Sequence, residues 1–330
     1  MTTSRGRAQR GTALLAVLWL SAALAAIAFT VASTVRGETE RTSTEIEGLR
    51  AGYLASGALD RALLYIQWGP AYRNPDGTAK YFQNPTPVLR FNFPTGAAMV
   101  EVIPETAKLN VNAAPPLELR NLMLALGVDP VQANTIVAAI VDWRTPSPGE
   151  SFTQFDQHYL TLTPSFRARH ASFQEIEELL LVQGVTPDLF YGSYTRDEQG
   201  AMVRHAALRD CLSVYGTKGQ IDANTAEPAV MLAIGISPDA VAALVARRAT
   251  LPLRDPQQLG PFLSGGPGAG RLGITQSAIA TLRATASPRL GNGELSDVRR
   301  SATAVVKWLG PEYNVPFHIL RWYDNVVAPQ

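Results

Sequence analysis

The chain of 330 residues is 46 % hydrophobic and carries a formal charge of +1, which allows sizeable cores and two domains. So even a charge balance offers no sign of a nucleic-acid or acidic-surface partner. Its single cysteine, Cys211, excludes an intrachain disulfide, so folding rests on packing even in an oxidising compartment. In the apolar context Asp210-Cys211-Leu212-Ser213-Val214 it reads as a small core residue.

At the N-terminus, Arg5, Arg7, Arg10 and Gly11 precede an uncharged apolar stretch from Thr12 to Val35. As a helix this stretch is roughly 36 Å long, enough to cross a hydrocarbon core of about 30 Å. Arginines before it and Glu38 and Glu40 after it place residues 1–11 in the cytoplasm and the bulk of the chain outside. A cleaved secretory signal shares these marks, and Ala32-Ser33-Thr34 supplies small residues for a cut. The apolar run, however, exceeds the usual core of such signals, about 7 to 15 residues. From Glu38 to Trp68 no proline occurs, and Ile46, Leu49, Tyr53, Leu59, Leu63 and Ile66 recur as an apolar helical face. One long helix is expected, half in lipid and half packed on a soluble domain.

Residues 69–87, rich in Pro, Gly and Asn, read as a loop. Strands are expected at Val88 to Phe93 and Ala98 to Ile103 around the turn Pro94-Thr95-Gly96-Ala97. Helical periods then dominate from Pro104 to about Ala286, a Pro/Gly linker covers Ser287 to Glu294, and strand-like alternation returns at Ser301 to Trp308 and Phe317 to Trp322. The expected fold class is therefore α+β, a small sheet domain interrupted by a large α-helical insertion.

The insertion repeats itself. Lys108-Leu109-Asn110-Val111-Asn112-Ala113-Ala114-Pro115-Pro116 returns as Gln220-Ile221-Asp222-Ala223-Asn224-Thr225-Ala226-Glu227-Pro228. Each is followed by an apolar helix and a turn, Leu126-Gly127-Val128-Asp129-Pro130 and Ile234-Gly235-Ile236-Ser237-Pro238, with a third turn at Gln183-Gly184-Val185-Thr186-Pro187. These resemble helix-hairpin-helix units, some of which bind nucleic-acid phosphates through two glycines flanking one apolar residue. Here the second glycine is replaced by Asp129, Thr186 and Ser237, each before proline, which reads as an N-cap with Pro at the first helical position.

Signs of enzyme chemistry are absent. Gly265-Gly266-Pro267-Gly268-Ala269-Gly270-Arg271-Leu272 has Arg and Leu where a phosphate loop needs Lys and Ser or Thr. His158, His170, His205 and His318 are scattered without metal-ligand spacing and read as surface or packed residues. One acidic constellation, Asp142, Glu150 and Asp156, offers hard oxygen ligands for calcium. The competing reading is a capped helix end with solvated loop charges.

The leader Gln9-Arg10-Gly11 before Thr12-Ala13-Leu14-Leu15-Ala16-Val17-Leu18 resembles a prepilin peptidase site, with the cut between Gly11 and Thr12. Together with the two Asn/Asp-x-Asn openings, Ile140-Val141-Asp142-Trp143, the stretch from Ser172 to Val185 and the ending Phe317-His318-Ile319-Leu320-Arg321-Trp322, it resembles the type II secretion system protein K family of minor pseudopilins. That resemblance implies a type IV pilin-like fold: a leader (1–11), a transmembrane and assembly helix (12–35), a first pilin-like part (36–104), the helical insertion (105–286) and C-terminal strands (287–330). It implies a single pass through the bacterial inner membrane with the bulk periplasmic, no enzymatic activity, and a place at the tip of the periplasmic pseudopilus. The implied partners are I- and J-type pseudopilins, the prepilin peptidase and the inner-membrane assembly platform, with no nucleic acid. Family members carry further acidic residues after the Asp-Trp pair, some implicated in calcium binding, where this chain reads Arg144-Thr145-Pro146-Ser147. Most pilin-like subunits also carry a glutamate five residues into the mature helix, where this chain has Ala16. The alternative reading is a membrane-anchored DNA-binding protein of the competence type, which uses similar openings and hairpins.

Overall fold

The computed structural model describes residues 8–83, 86–147, 152–196, 200, 202–263, 268–275, 277–310 and 312–326. Helix α1 (Ala8–Trp68) is continuous, as expected from the absence of proline. Residues 13–46 are exposed along their whole length. Within this apolar half, Ser21, Thr30 and Thr34 return their hydroxyls to the carbonyls of Val17, Ala26 and Thr30 at 2.7 to 2.9 Å, so these donors need no partner from a lipid environment. Burial begins at Gly48 and continues through Ala51, Ala55, Ala58, Leu59, Ala62 and Leu63. That i, i+3, i+4 stripe is made mostly of alanine, which lets the helix axis approach the sheet closely. The helix stops at Gly69, where a Cβ would lie 2.5 Å from the Phe82 carbonyl oxygen, and Pro70 follows.

Strands β1 (Val88–Phe93) and β2 (Gly96–Pro104) pair antiparallel. The turn between them is two residues rather than the expected four, because Gly96 pairs with Phe93 and Ala97 with Asn92. The insertion then runs through β3 (Leu109–Asn110), α2 (Pro116–Ala125), α3 (Pro130–Arg144), α4 (Gln154–Leu160), α5 (Pro187–Tyr191), the hairpin of β4 (Tyr194–Arg196) and β5 (Met202–Arg204), α6 (Leu208–Cys211) and β6 (Leu212–Ser213). A second set follows: β7 (Ile221–Asp222), α7 (Pro228–Ala233), α8 (Pro238–Thr250) and β8 (Leu272–Gly273). The insertion is thus helical with small strand pairings, β3 with β6 and β7 with β8 both parallel. It has its own core, centred on Leu119, Leu122, Ile136, Ile140, Leu179 and Cys211.

The chain ends in β9 (Ile279–Pro288), β10 (Arg300–Trp308) and β11 (Phe317–Val326). β9 corrects the expected boundary at 286, since residues 279–286 are strand rather than helix. Their alternation is real, with Ala280, Leu282, Ala284 and Ala286 buried, but alanine is a helix former and masks a period of two. The five strands form one antiparallel sheet in the order β1-β2-β9-β10-β11. One face, with Val100, Val102, Leu282, Ala284, Ala302, Ala304 and Val306, meets the α1 stripe in a second core. The other face, with Thr281, Arg283, Thr303, Arg321 and Tyr323, lines a cleft of about 460 Å³ shared with the insertion.

β2 and β9 flank the insertion and are neighbours in the sheet, with Pro104 opposite Ala280. Gly96, at the other end of β2, lies against Leu54, whereas Pro104 and Ala280 share a cleft with Ile66 and Gly69. The insertion therefore leaves the sheet at the end far from the apolar half of α1.

The close helix-on-sheet contact makes a volume test direct. Ala58→Leu overpacks the seam and is expected to lower stability by about 1–3 kcal/mol. Tyr53→Ala, at a side chain 80 % exposed, should stay within about 0.5 kcal/mol of the wild type. Urea titration followed by far-UV circular dichroism separates the two.

Candidate functional site

The two openings build the same clasp twice. In the first, Asn112 donates from Nδ2 to the Phe173 carbonyl at 3.0 Å and accepts the Phe173 N–H at 2.7 Å. In the second, Asn224 makes the same pair of bonds with Leu253 at 2.9 and 2.8 Å. Arg144 donates to the carbonyls of Val111 and Ala114 at 2.7 and 2.8 Å. Arg248 does the same to Ala223 and Ala226 at 2.9 and 2.7 Å. Even the following turns agree, since Glu178 accepts the Gln174 N–H and Gln258 the Arg254 N–H. The insertion is one module used in tandem, its copies joined where α2 packs on α7 and where Arg271 pairs with Glu118. Arg271, part of the glycine-rich stretch, also donates to the Gly219 carbonyl at 2.9 Å and is thereby engaged in structure.

The hairpin turns are backbone devices. Gly127, Gly184 and Gly235 sit at φ of +82°, +88° and +93°, a region where other residues are strained. Asp129 accepts the N–H groups of Val131 and Gln132, Thr186 that of Leu189, and Ser237 that of Ala240. The N–H groups through which a helix start would hold a phosphate are thus already donating to the chain's own caps.

Of the acidic constellation, Asp142 and Asp156 come together and Glu150 lies outside the described residues. Asp156 is fully buried and closes the capping box of α4 with Thr153. Its Oδ1 accepts the Ala168 N–H at 3.0 Å, and its Oδ2 accepts the Thr153 N–H at 3.2 Å and faces His170 Nε2 at 2.9 Å. Asp142 accepts the Thr153 hydroxyl at 3.2 Å. Burial alone would raise the Asp156 pKa, but His170 and the two backbone donors outweigh it and hold the carboxyl below its ordinary value. Burial pushes Asp142 up, against the pull of Thr153 and His170. For His170, burial works against the charged form, yet Asp156 leaves the net shift upward. Both Asp156 oxygens thus accept from donors of the chain itself. Among the described residues no group of three or more His, Cys, Asp or Glu side chains is arranged to hold a metal ion. His170 is the partner that sequence reasoning missed: it stands 14 residues from Asp156 and 28 from Asp142, with no local pattern to link them.

A buried charge ties the insertion to the sheet. Glu105, 2 % exposed, pairs with Lys108 at 3.2 Å, accepts the Thr281 hydroxyl of β9 at 2.6 Å and accepts the Ser213 hydroxyl of β6. Burial opposes its charge, but Lys108 and the two hydroxyls hold its pKa below the ordinary value. Further out, Arg283 reaches Glu101 and Asp210 at 3.6 and 3.3 Å, and Arg321 donates from Nε to Glu175 at 2.8 Å.

Gly11, Thr12 and Ala16 lie within α1, and Ala16 belongs to the exposed stretch. The long helix, the sheet it crosses and the insertion between β2 and β9 together define a pilin-like α+β fold with a large helical insertion. Residues 98–191 match the family described as Type II secretion system (T2SS), protein K. Among solved structures, the chain is similar to a chain of the crystal structure of the GspK-GspI-GspJ complex from the enterotoxigenic Escherichia coli Type 2 Secretion System. The TM-score is 0.51 and the identity 18 %, over 87 % of this chain and 100 % of that one. At that identity the likeness speaks for the fold. No curated protein matches the sequence. The likeness to the type II secretion system protein K family thus lies in residues 98–191, which run from β2 through the first part of the insertion.

Two outcomes follow from the clasps and the buried pair. Asn112→Ala and Asn224→Ala should each lower stability by about 1–3 kcal/mol for every backbone group left buried and unpaired, read by urea titration. Because the folded pKa of Glu105 is depressed, its contribution is complete above the ordinary value of 4.5 and is lost as pH falls through the folded value. The stability gap between wild type and Glu105→Gln should therefore narrow on acidification below that value. A gap that widens there would contradict the assignment.

Proposed function

We propose that the chain acts as a minor pseudopilin at the tip of the periplasmic pseudopilus, helping to start assembly and export of folded proteins. The observation that carries this reading is the division of α1. Residues 13–46 are exposed, and the insertion leaves the sheet at the opposite end. Among the described residues one helix is long and apolar enough to cross a membrane. An anchor at one end and a bulky cap at the other suit a subunit with neighbours below it and none above. The similar structure is a complex of GspK with GspI and GspJ, and pseudopilins of these types are the proposed partners here. The inner membrane holds the helix with residues 1–11 cytoplasmic and the bulk periplasmic. The prepilin peptidase cuts after Gly11, and the assembly platform receives the processed chain.

Ala16 supports the same reading. A carboxylate at this depth is costly in lipid unless a neighbour's amino terminus pairs with it. A subunit with none above it has no use for one. The work is assembly rather than catalysis. The occupied helix caps argue against the competence-type DNA-binding reading, which predicts tight, salt-sensitive DNA binding.

Gly11→Asp should leave residues 1–11 attached while the protein still enters the membrane, as read by intact mass. A wild-type N-terminus at Met1, or one near Thr34, would sink the processing site. Cysteine pairs engineered between this chain and its partner pseudopilins should report one copy per fibre, at the distal end. Crosslinked ladders of this chain with itself would refute the tip position, and Ala16→Glu should not promote self-polymerisation.

A further inference from the structure

The tandem modules differ in the chain between the arginine and the asparagine clasp. In the second, the chain passes from Arg248 to Leu253 directly, with both residues held by the opening loop. In the first, Arg144 and Phe173 are held in the same way, but the chain between them leaves on an excursion that includes α4. Something must bring that excursion back to the Asn112 clasp. His170 stands three residues before Phe173, at a φ of +48°, which non-glycine residues rarely adopt.

Its two ring nitrogens face acceptors only. Nδ1 lies 3.2 Å from the Asp142 carbonyl at the end of α3, and Nε2 lies 2.9 Å from the buried Asp156 carboxylate of α4. A carbonyl and a carboxylate both require a donor, so the ring fits as an imidazolium with a proton on each nitrogen. The other charged groups facing it are the Asp142 carboxylate and, on the excursion itself, Arg167, 3.8 Å from Asp156 Oδ2. Arg167 is anchored in turn over the Phe152 ring at 4.4 Å. Tyr159 is buried beside the pair, its ring edge-on to Trp143. A buried carboxylate is stable only when paired or bound to a metal, and here the partner is supplied by the chain.

We infer that His170 is a built-in cation that closes the junction of α3 and α4 without a metal ion, pinning residues 152–172 of the excursion onto the first module. It is a positioning residue: it sets where the excursion returns, and Asn112 then grips Phe173.

The test is limited proteolysis of the full chain in detergent micelles, with cuts mapped by mass spectrometry, in EDTA and in millimolar calcium. The wild type should be cut within residues 152–172 at the same slow rate in both. His170→Ala should raise that rate about tenfold or more, matching a shift of about 1.4 kcal/mol in local opening, while cuts elsewhere keep their rates. Arg167→Ala should raise it less, because that guanidinium is half-exposed and more distant. Calcium that slows cleavage of the wild type would overturn the inference by showing that metal holds the loop. Unchanged cleavage in His170→Ala would also overturn it. The wild-type comparison needs no variant to fold.

Discussion

The structure depends on a helix packed on a sheet through small side chains. Ala51, Ala55, Ala58 and Ala62 on α1 are fully buried, and they meet a sheet face in which Ala284, Ala286, Ala302 and Ala304 are just as small. Short side chains on both sides bring backbones together, and Leu59, Leu63, Val100 and Leu282 fill the space that remains. The seam occupies only the second half of α1. N-terminal to it α1 runs exposed, charged from Arg36 to Glu45 and apolar from Ala13 to Val35, and the apolar part needs lipid or other helices.

The insertion joins this body through charge rather than oil. Its core is separate from the one under α1, and the contact between them runs through Glu105, Arg283 and Arg321. Interfaces of this polar kind between units of one chain usually permit relative motion. Glu105 opposes it, because its removal from Lys108, Ser213 and Thr281 would leave a charge buried and unpaired.

Much of this is legible in the residues. An uncharged stretch and a proline-free continuation announce α1, and the repeated openings with Gly-x-Asp/Ser-Pro turns announce the hairpins and their caps. What the repeat does is visible only in three dimensions: Asn112 reaches Phe173 across 61 residues and Asn224 reaches Leu253 across 29, pairings that no local period encodes. β9 is hidden for a different reason. Its inward residues are mostly alanines, whose helical propensity disguises alternation that valines would show. His170 reads as an isolated histidine because its partners come from two other elements, and the donors that engage both Asp156 oxygens are equally invisible in the sequence.

The register that sets Pro104 opposite Ala280 also bears on how the chain reaches this state. Strands β2 and β9 are central to the sheet, yet they are separated by the entire insertion, so their pairing is the most non-local within the sheet. If the insertion stayed unfolded, closing that loop would cost on the order of 4 to 5 kcal/mol in chain entropy by its length dependence alone. Once it has collapsed around its own core, its two ends are already neighbours, and the sheet zips as if β2 and β9 belonged to one hairpin. The topology thereby favours one order of events: the insertion first, the sheet second, and last the packing of α1 on the face that a closed sheet offers.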